Sequence, residues 1–162
     1  MRNTIANLEL FRVDPDTTEV VPLLGLPIMA GFPSPADDFV EAVLDLNKEL
    51  VRFPESTFLG RVKGDSLRDL DIEAGDVLVV DKLLRPDLSA VRETLQKKPG
   101  YRRKPQLIVC WLDGGFTVKM VKLFPTRCLL YSANEAYPPI IVTAENEFIL
   151  WGVVTYVIKK TY

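Results

Sequence analysis

Residues 106–123 read Gln-Leu-Ile-Val-Cys-Trp-Leu-Asp-Gly-Gly-Phe-Thr-Val-Lys-Met-Val-Lys-Leu. Two runs rich in β-branched and aromatic residues flank Asp113-Gly114-Gly115, the composition of a tight hairpin turn between two strands. The same grammar continues outward. Residues 127–132, 140–143 and 148–158 read as further strands, the last two split by the polar turn at residues 144–147. Upstream, residues 57–62 are strand-like, residues 70–75 read as a loop, and Asp76-Val77-Leu78-Val79-Val80-Asp81 reads as a strand covered on both faces. Residues 45–51 predict a short helix, with Asp45 as N-cap and Leu46, Leu50 and Val51 on one face, ended by Phe53-Pro54. The expected fold class is mostly β, one domain from about residue 55 to the end, with one or two short helices, the second candidate lying at residues 87–97.

Composition narrows the chemistry. The chain has 162 residues, 48% of them hydrophobic, and a formal net charge of -2, so it should bury a core and carries no global pull toward nucleic acid or anionic lipid. It has no histidine, which excludes a Ser-His-Asp triad, a Cys-His dyad and any His-ligated metal. Cys110 and Cys128 sit in apolar runs and read as reduced core thiols, which also makes a thiolate metal site a poor expectation. No cofactor is expected. A serine hydrolase without histidine needs another base, and lysine is the known substitute.

Ser66 is the candidate nucleophile, in the turn Lys63-Gly64-Asp65-Ser66-Leu67. Gly64 permits a positive φ and leaves room beside the serine, and Asp65 can brace the turn. Backbone N–H groups at such a turn can stabilise an oxyanion. The candidate base lies in the hairpin. Strand alternation puts Lys119 and Lys122 on opposite, largely apolar faces, so at least one should lose water, which lowers a lysine pKa. The pattern does not choose between them.

Residues 1–30 read as an arm. Leu8, Leu10 and Val13 suggest a strand, Asp14-Pro15-Asp16-Thr17 a turn, and Glu19-Val20-Val21 a strand returning on the first, after which Pro22 and Pro27 forbid long regular structure. Ala30-Gly31-Phe32-Pro33-Ser34-Pro35 is held extended by its prolines, a shape that a protease cleft accepts as an added strand. Residues 82–105 carry eight basic side chains against Asp87 and Glu93, a surface excursion with a weak case for direct DNA contact. The apolar run at residues 20–30 is shorter than the about 20 residues a bilayer needs and is broken by two prolines. No membrane span and no secretory signal are expected, and the expected location is the cytoplasm.

Several of these stretches recur together in one known family. The ordered segments Ala30-Gly31-Phe32-Pro33-Ser34-Pro35-Ala36-Asp37, Asp45-Leu46-Asn47, Val62-Lys63-Gly64-Asp65-Ser66-Leu67, Gly75-Asp76-Val77-Leu78-Val79-Val80-Asp81, Gly115-Phe116-Thr117-Val118-Lys119 and Trp151-Gly152-Val153-Val154 resemble the UmuD branch of the LexA/UmuD self-cleaving serine peptidases. The resemblance covers roughly residues 30–158. It implies a compact β-clip, LexA-like peptidase domain at residues 55–162, an extended linker and short helix at 31–54, and a flexible arm at 1–30 that self-cleavage removes. It implies Ser66 as nucleophile, Lys119 as general base and the Ala30-Gly31 bond as substrate. It also implies stimulation by RecA filaments on single-stranded DNA, a homodimeric product, and service to a UmuC-type translesion polymerase in the SOS response. Three positions depart from the family pattern: Leu67 replaces a usual methionine, the scissile pair is Ala-Gly as in the LexA branch, and the basic excursion is longer. The alternatives are a vestigial polymerase-binding module and a LexA-type repressor, the latter disfavoured because residues 1–30 do not encode a helix-turn-helix.

Overall fold

The computed structural model describes residues 8–13, 20–24, 41–86 and 106–162. The expected turn at residues 14–17, the proline-rich segment with Ala30 and Gly31, and residues 87–105 of the basic excursion lie outside the described residues.

The chain is mostly β. Among the described residues the strands are β1 (Leu8–Arg12), β2 (Val20–Leu24), β3 (Glu41–Asp45), β4 (Thr57–Val62), β5 (Val77–Asp81), β6 (Ile108–Leu112), β7 (Gly115–Leu123), β8 (Cys128–Tyr131), β9 (Ile140–Val142) and β10 (Phe148–Ile158), with one helix, α1 (Leu46–Leu50), and a 3-10 turn at Arg68–Leu70. Eight strands form one antiparallel sheet in the order β1-β4-β5-β10-β6-β7-β8-β9, while β2 and β3 pair separately.

The central hairpin forms as its residues dictate. Leu112 pairs with Gly115, leaving Asp113 (φ 45°) and Gly114 (φ 93°) as a two-residue turn with both corners left-handed. Such a turn matches the twist of the strands it joins. Asp113 accepts from Glu147 N at 2.9 Å and from Asn146 Nδ2 at 2.7 Å, which ties this turn to the one before β10. α1 is capped as expected, with Asp45 Oδ1 accepting from Asn47 N at 3.0 Å.

Alternation splits the strands between two apolar clusters. One holds Leu8, Val62, Leu67, Leu78, Val80, Val109 and Val118, from strands on both sides of the curled sheet. The other holds Ile108, Cys110, Leu112, Val121, Cys128, Leu130 and Val142 beneath β6 to β9. Four aromatics from four strands cross the sheet edge to face: Phe58 to Trp151 at 4.8 Å, Trp151 to Phe116 at 5.2 Å, and Phe116 to Trp111 at 4.9 Å. Leu78, Val79 and Val80 are all buried, so β5 is covered on both faces as its unbroken apolar run predicts. Both cysteines are free thiols inside the second cluster.

The N-terminal part differs from its sequence reading. The segment starting at Val20 does not return on the first strand. β1 joins the edge of the main sheet by pairing with β4, Leu8 opposite Val62 and Arg12 opposite Phe58. β2 pairs with β3, a strand hidden in the stretch read as linker, and it runs through Pro22. Proline is tolerated because each strand of a two-stranded ribbon is an edge, where a missing N–H need break no ladder bond.

Replacing Leu78, wholly buried in the first cluster, by alanine should lower the unfolding free energy by about 2–5 kcal/mol in chemical denaturation. Replacing Ile141, 56% exposed on β9, should change it by less than about 0.5 kcal/mol.

Candidate active site

Ser66 follows the turn that leaves β4. Gly64 takes φ 84°, a conformation that side chains rarely adopt, and a Cβ built there would meet nothing within 4 Å. Glycine is therefore required for its backbone angle and not for the room it leaves. The chain then enters the 3-10 turn, with Arg68 N donating to Asp65 O at 3.2 Å. Leu67 is driven into the first core cluster, which pins the residue beside Ser66, and Ser66 itself is only 6% exposed.

Asp65 is braced from outside the turn as well as from within. Tyr137 donates its hydroxyl to Asp65 Oδ1, and Asn134 Nδ2 donates to Asp65 O at 2.9 Å. The Tyr137 hydroxyl is the main reason the Asp65 carboxyl stays below its ordinary range, helped by the Asp65 backbone N–H, Arg68 and Asn134 and opposed by partial burial. The loop carrying Tyr137 holds its own shape, because Asn134 Oδ1 accepts from Ala136 N at 3.0 Å and Asn134 O accepts from Tyr137 N at 3.0 Å. A backbone bond from Asp69 N to Ala133 O at 2.7 Å completes the join between this loop and the serine turn.

Lys119 comes from β7. Its register partner is Ile108, and Thr117 stands opposite Cys110, so Lys119 and Thr117 point to the side of the second cluster. Burial separates the two candidate lysines: Lys119 is 4% exposed, whereas Lys122 is half-buried with Nζ over the Phe124 ring. Loss of water disfavours the ammonium and holds the Lys119 pKa down at about 8, against an ordinary 10.5, with Cys110 opposing slightly. Between those values the unfolded chain binds a proton that the folded chain does not, so this group makes folding more favourable as pH rises.

The Lys119 amine is aimed. Continuing the β7–β8 register two residues beyond Val121 and Leu130 places Ser132 opposite Lys119, and Nζ donates to Ser132 Oγ at 2.9 Å. Nζ also stands 5.9 Å from the centroid of the Tyr137 ring, the ring whose hydroxyl holds Asp65. One short loop, from Ser132 to Tyr137, thus touches the lysine and the serine turn. Thr117 Oγ1 is buried on the Lys119 side with no hydrogen-bond partner. Among the described residues no three His, Cys, Asp or Glu side chains are grouped to hold a metal ion, and no helix is long and apolar enough to cross a membrane.

With this geometry in place, comparison with known proteins is direct. Residues 22–155 match the profile of the Peptidase S24-like family. The chain belongs to that family. It is 38% identical over 132 residues to protein SamA of Salmonella typhimurium, covering 82% of this chain and 80% of SamA. Protein MucA of Escherichia coli is 35% identical over 130 residues, covering 80% of this chain and 77% of MucA. A LexA repressor from Shewanella piezotolerans is 30% identical over 145 residues, covering 89% of this chain but 62% of the repressor.

Sequence reasoning singled out Ser66 and Lys119, and the residues that brace them it did not. Ser132, Asn134 and Tyr137 lie in a loop without periodicity, and their roles depend on what the fold sets against them. Asn134→Ala removes a donor to Asp65 and an acceptor for Ala136, and should cost about 1–3 kcal/mol in unfolding free energy. The thiols give a second check. Burial raises the Cys128 pKa to about 11 and raises that of Cys110 further. Neither should react with iodoacetamide at pH 8 in the folded protein, and both should react in denaturant.

Proposed function

We propose that this protein cuts its own chain between Ala30 and Gly31, with Ser66 as nucleophile and Lys119 as general base. The observation that carries the reading is the buried amine of Lys119, held at Ser132 Oγ, whose pKa of about 8 leaves a usable neutral fraction near physiological pH. Membership of a peptidase family supports it, and the absence of histidine leaves lysine as the base.

The chemistry balances as an acyl transfer. Neutral Nζ takes the Ser66 hydroxyl proton as Oγ attacks the Ala30 carbonyl carbon. Backbone N–H groups of the Gly64-Asp65-Ser66 turn face the developing oxyanion. The tetrahedral intermediate collapses, the Ala30–Gly31 bond breaks, and the Lys119 ammonium returns the proton to the Gly31 amine. Water, deprotonated by the same amine, then frees Ala30 as a carboxylate.

The biological setting follows from the UmuD-like resemblance and from the relatives named above. In this reading the protein acts in SOS mutagenesis in the cytoplasm. RecA filaments on single-stranded DNA stimulate its cut, and the shortened homodimer serves a UmuC-type translesion polymerase.

Purified protein incubated from pH 7 to 10 should yield a fragment beginning at Gly31 by intact mass. The rate should rise about tenfold between pH 7 and 9, following the neutral fraction of Lys119, and then level off. Ser66→Ala and Lys119→Ala should abolish the product, while Lys122→Ala should leave it within about twofold, since that amine lies on the opposite face of β7. No fragment at any pH, with or without RecA filaments, would mean a non-cutting polymerase-binding module.

A further inference from the structure

The proposed cut lies between two strands that hold each other. β2 and β3 pair from Val20 opposite Asp45 to Leu24 opposite Glu41, so the bond between Ala30 and Gly31 belongs to the connection that closes this ribbon. Cutting it severs the covalent link without removing any of the paired residues. The residues before the cut also reach the main sheet through β1, which forms five residue pairs with β4.

That second attachment has features of a fitted seat. Leu8 is 7% exposed and is a member of the first core cluster, with Leu10 packed against it. Gly60 lies directly beneath Leu8: a Cβ built on Gly60 would sit 2.8 Å from Leu8 Cδ1 and 3.2 Å from Cγ. The missing side chain on β4 is the space that Leu8 fills. Glu9 and Lys63 add an ion pair at 3.2 Å next to the serine turn, exposed and worth little by itself. A strand that supplies part of the hydrophobic core is not held by its covalent tether alone.

We propose that the edge of β4, with its Leu8 seat, is a strand-docking site whose resident is β1, and that the arm stays bound after the chain is cut. This rests on the cut site proposed above. Cutting and release are then separate steps. The first product is a nicked complex, with β1 anchored on β4 and β2 on β3. The processed surface is exposed only when β1 is displaced, by dilution or by another extended strand that offers an apolar residue at the place of Leu8.

The test need not depend on self-cleavage. A full-length Ser66→Ala chain carrying the recognition sequence of an unrelated protease inserted after Gly31 is cut by that protease. Native mass spectrometry should then show one species with the summed mass, and denaturant should resolve two fragments. Leu8→Asp should release the arm on cutting. Gly60→Ala should weaken retention, and adding Leu8→Val, which draws the apolar tip back, should restore part of it. Such rescue would not follow from general destabilisation, so it also decides the matter if Leu8→Asp fails to fold. Fragments that separate at once in native buffer, or a folded Leu8→Asp chain that retains its arm as well as the parent, would overturn the proposal. Whether the unmodified protein cuts itself is read separately, from denaturing mass.

Discussion

A primary amine largely withdrawn from water is the condition on which the candidate site rests. Lysine in water is almost wholly protonated near neutral pH and has no lone pair to offer. Burying Lys119 on β7 removes the hydration that favours the ammonium and brings its pKa to about 8. That burial is a property of the sheet. It requires β6 and β8 on either side, the second apolar cluster beneath, and Ser132 at the end of β8 to accept one N–H and fix the direction of the amine. Lys122, three positions along the same strand, is only half-buried. Two residues of one type on one strand thus end in different surroundings, because alternation sends them to different faces.

The serine turn obeys a different constraint. Its position is set by backbone angle at Gly64 and by the burial of Leu67, and its orientation by Asn134 and Tyr137 acting on Asp65. Tyr137 contributes twice, with its hydroxyl on the Asp65 carboxylate and its ring near the Lys119 amine. A hydrogen bond and a cation–ring contact made by one side chain link the serine turn to Lys119. Movement of the loop at residues 132–137 would therefore disturb both together.

The N-terminal strands show how little a covalent boundary need coincide with a structural one. Residues 8–12 come before the expected cut, yet they complete the edge of the sheet that carries the candidate nucleophile's turn. Antiparallel edges invite this, since β4 would otherwise present unpaired N–H and C=O groups along one side.

Most strands were legible because their side chains alternate or run unbroken with β-branched residues, and tight turns mark their ends. The segments read at residues 57–62 and 148–158 match β4 and β10 residue for residue. Ser66 and Lys119 were legible as residue types, because the absence of histidine leaves few ways to activate a serine, and as positions through ordered family motifs. Beyond the β6–β7 hairpin, pairing partners were not legible. Nothing in the first thirteen residues says that Leu8 fills the space above Gly60, since that fit exists only once two distant strands lie side by side. The burial that separates Lys119 from Lys122, and the bracing by Ser132, Asn134 and Tyr137, were likewise left to the tertiary structure. The sequence by itself determined the β class, the candidate nucleophile and the kind of base, because propensity, periodicity and composition are local properties of the chain. Only the folded protein decided which lysine is dry and what holds the arm, because desolvation and edge pairing depend on neighbours far away in the chain.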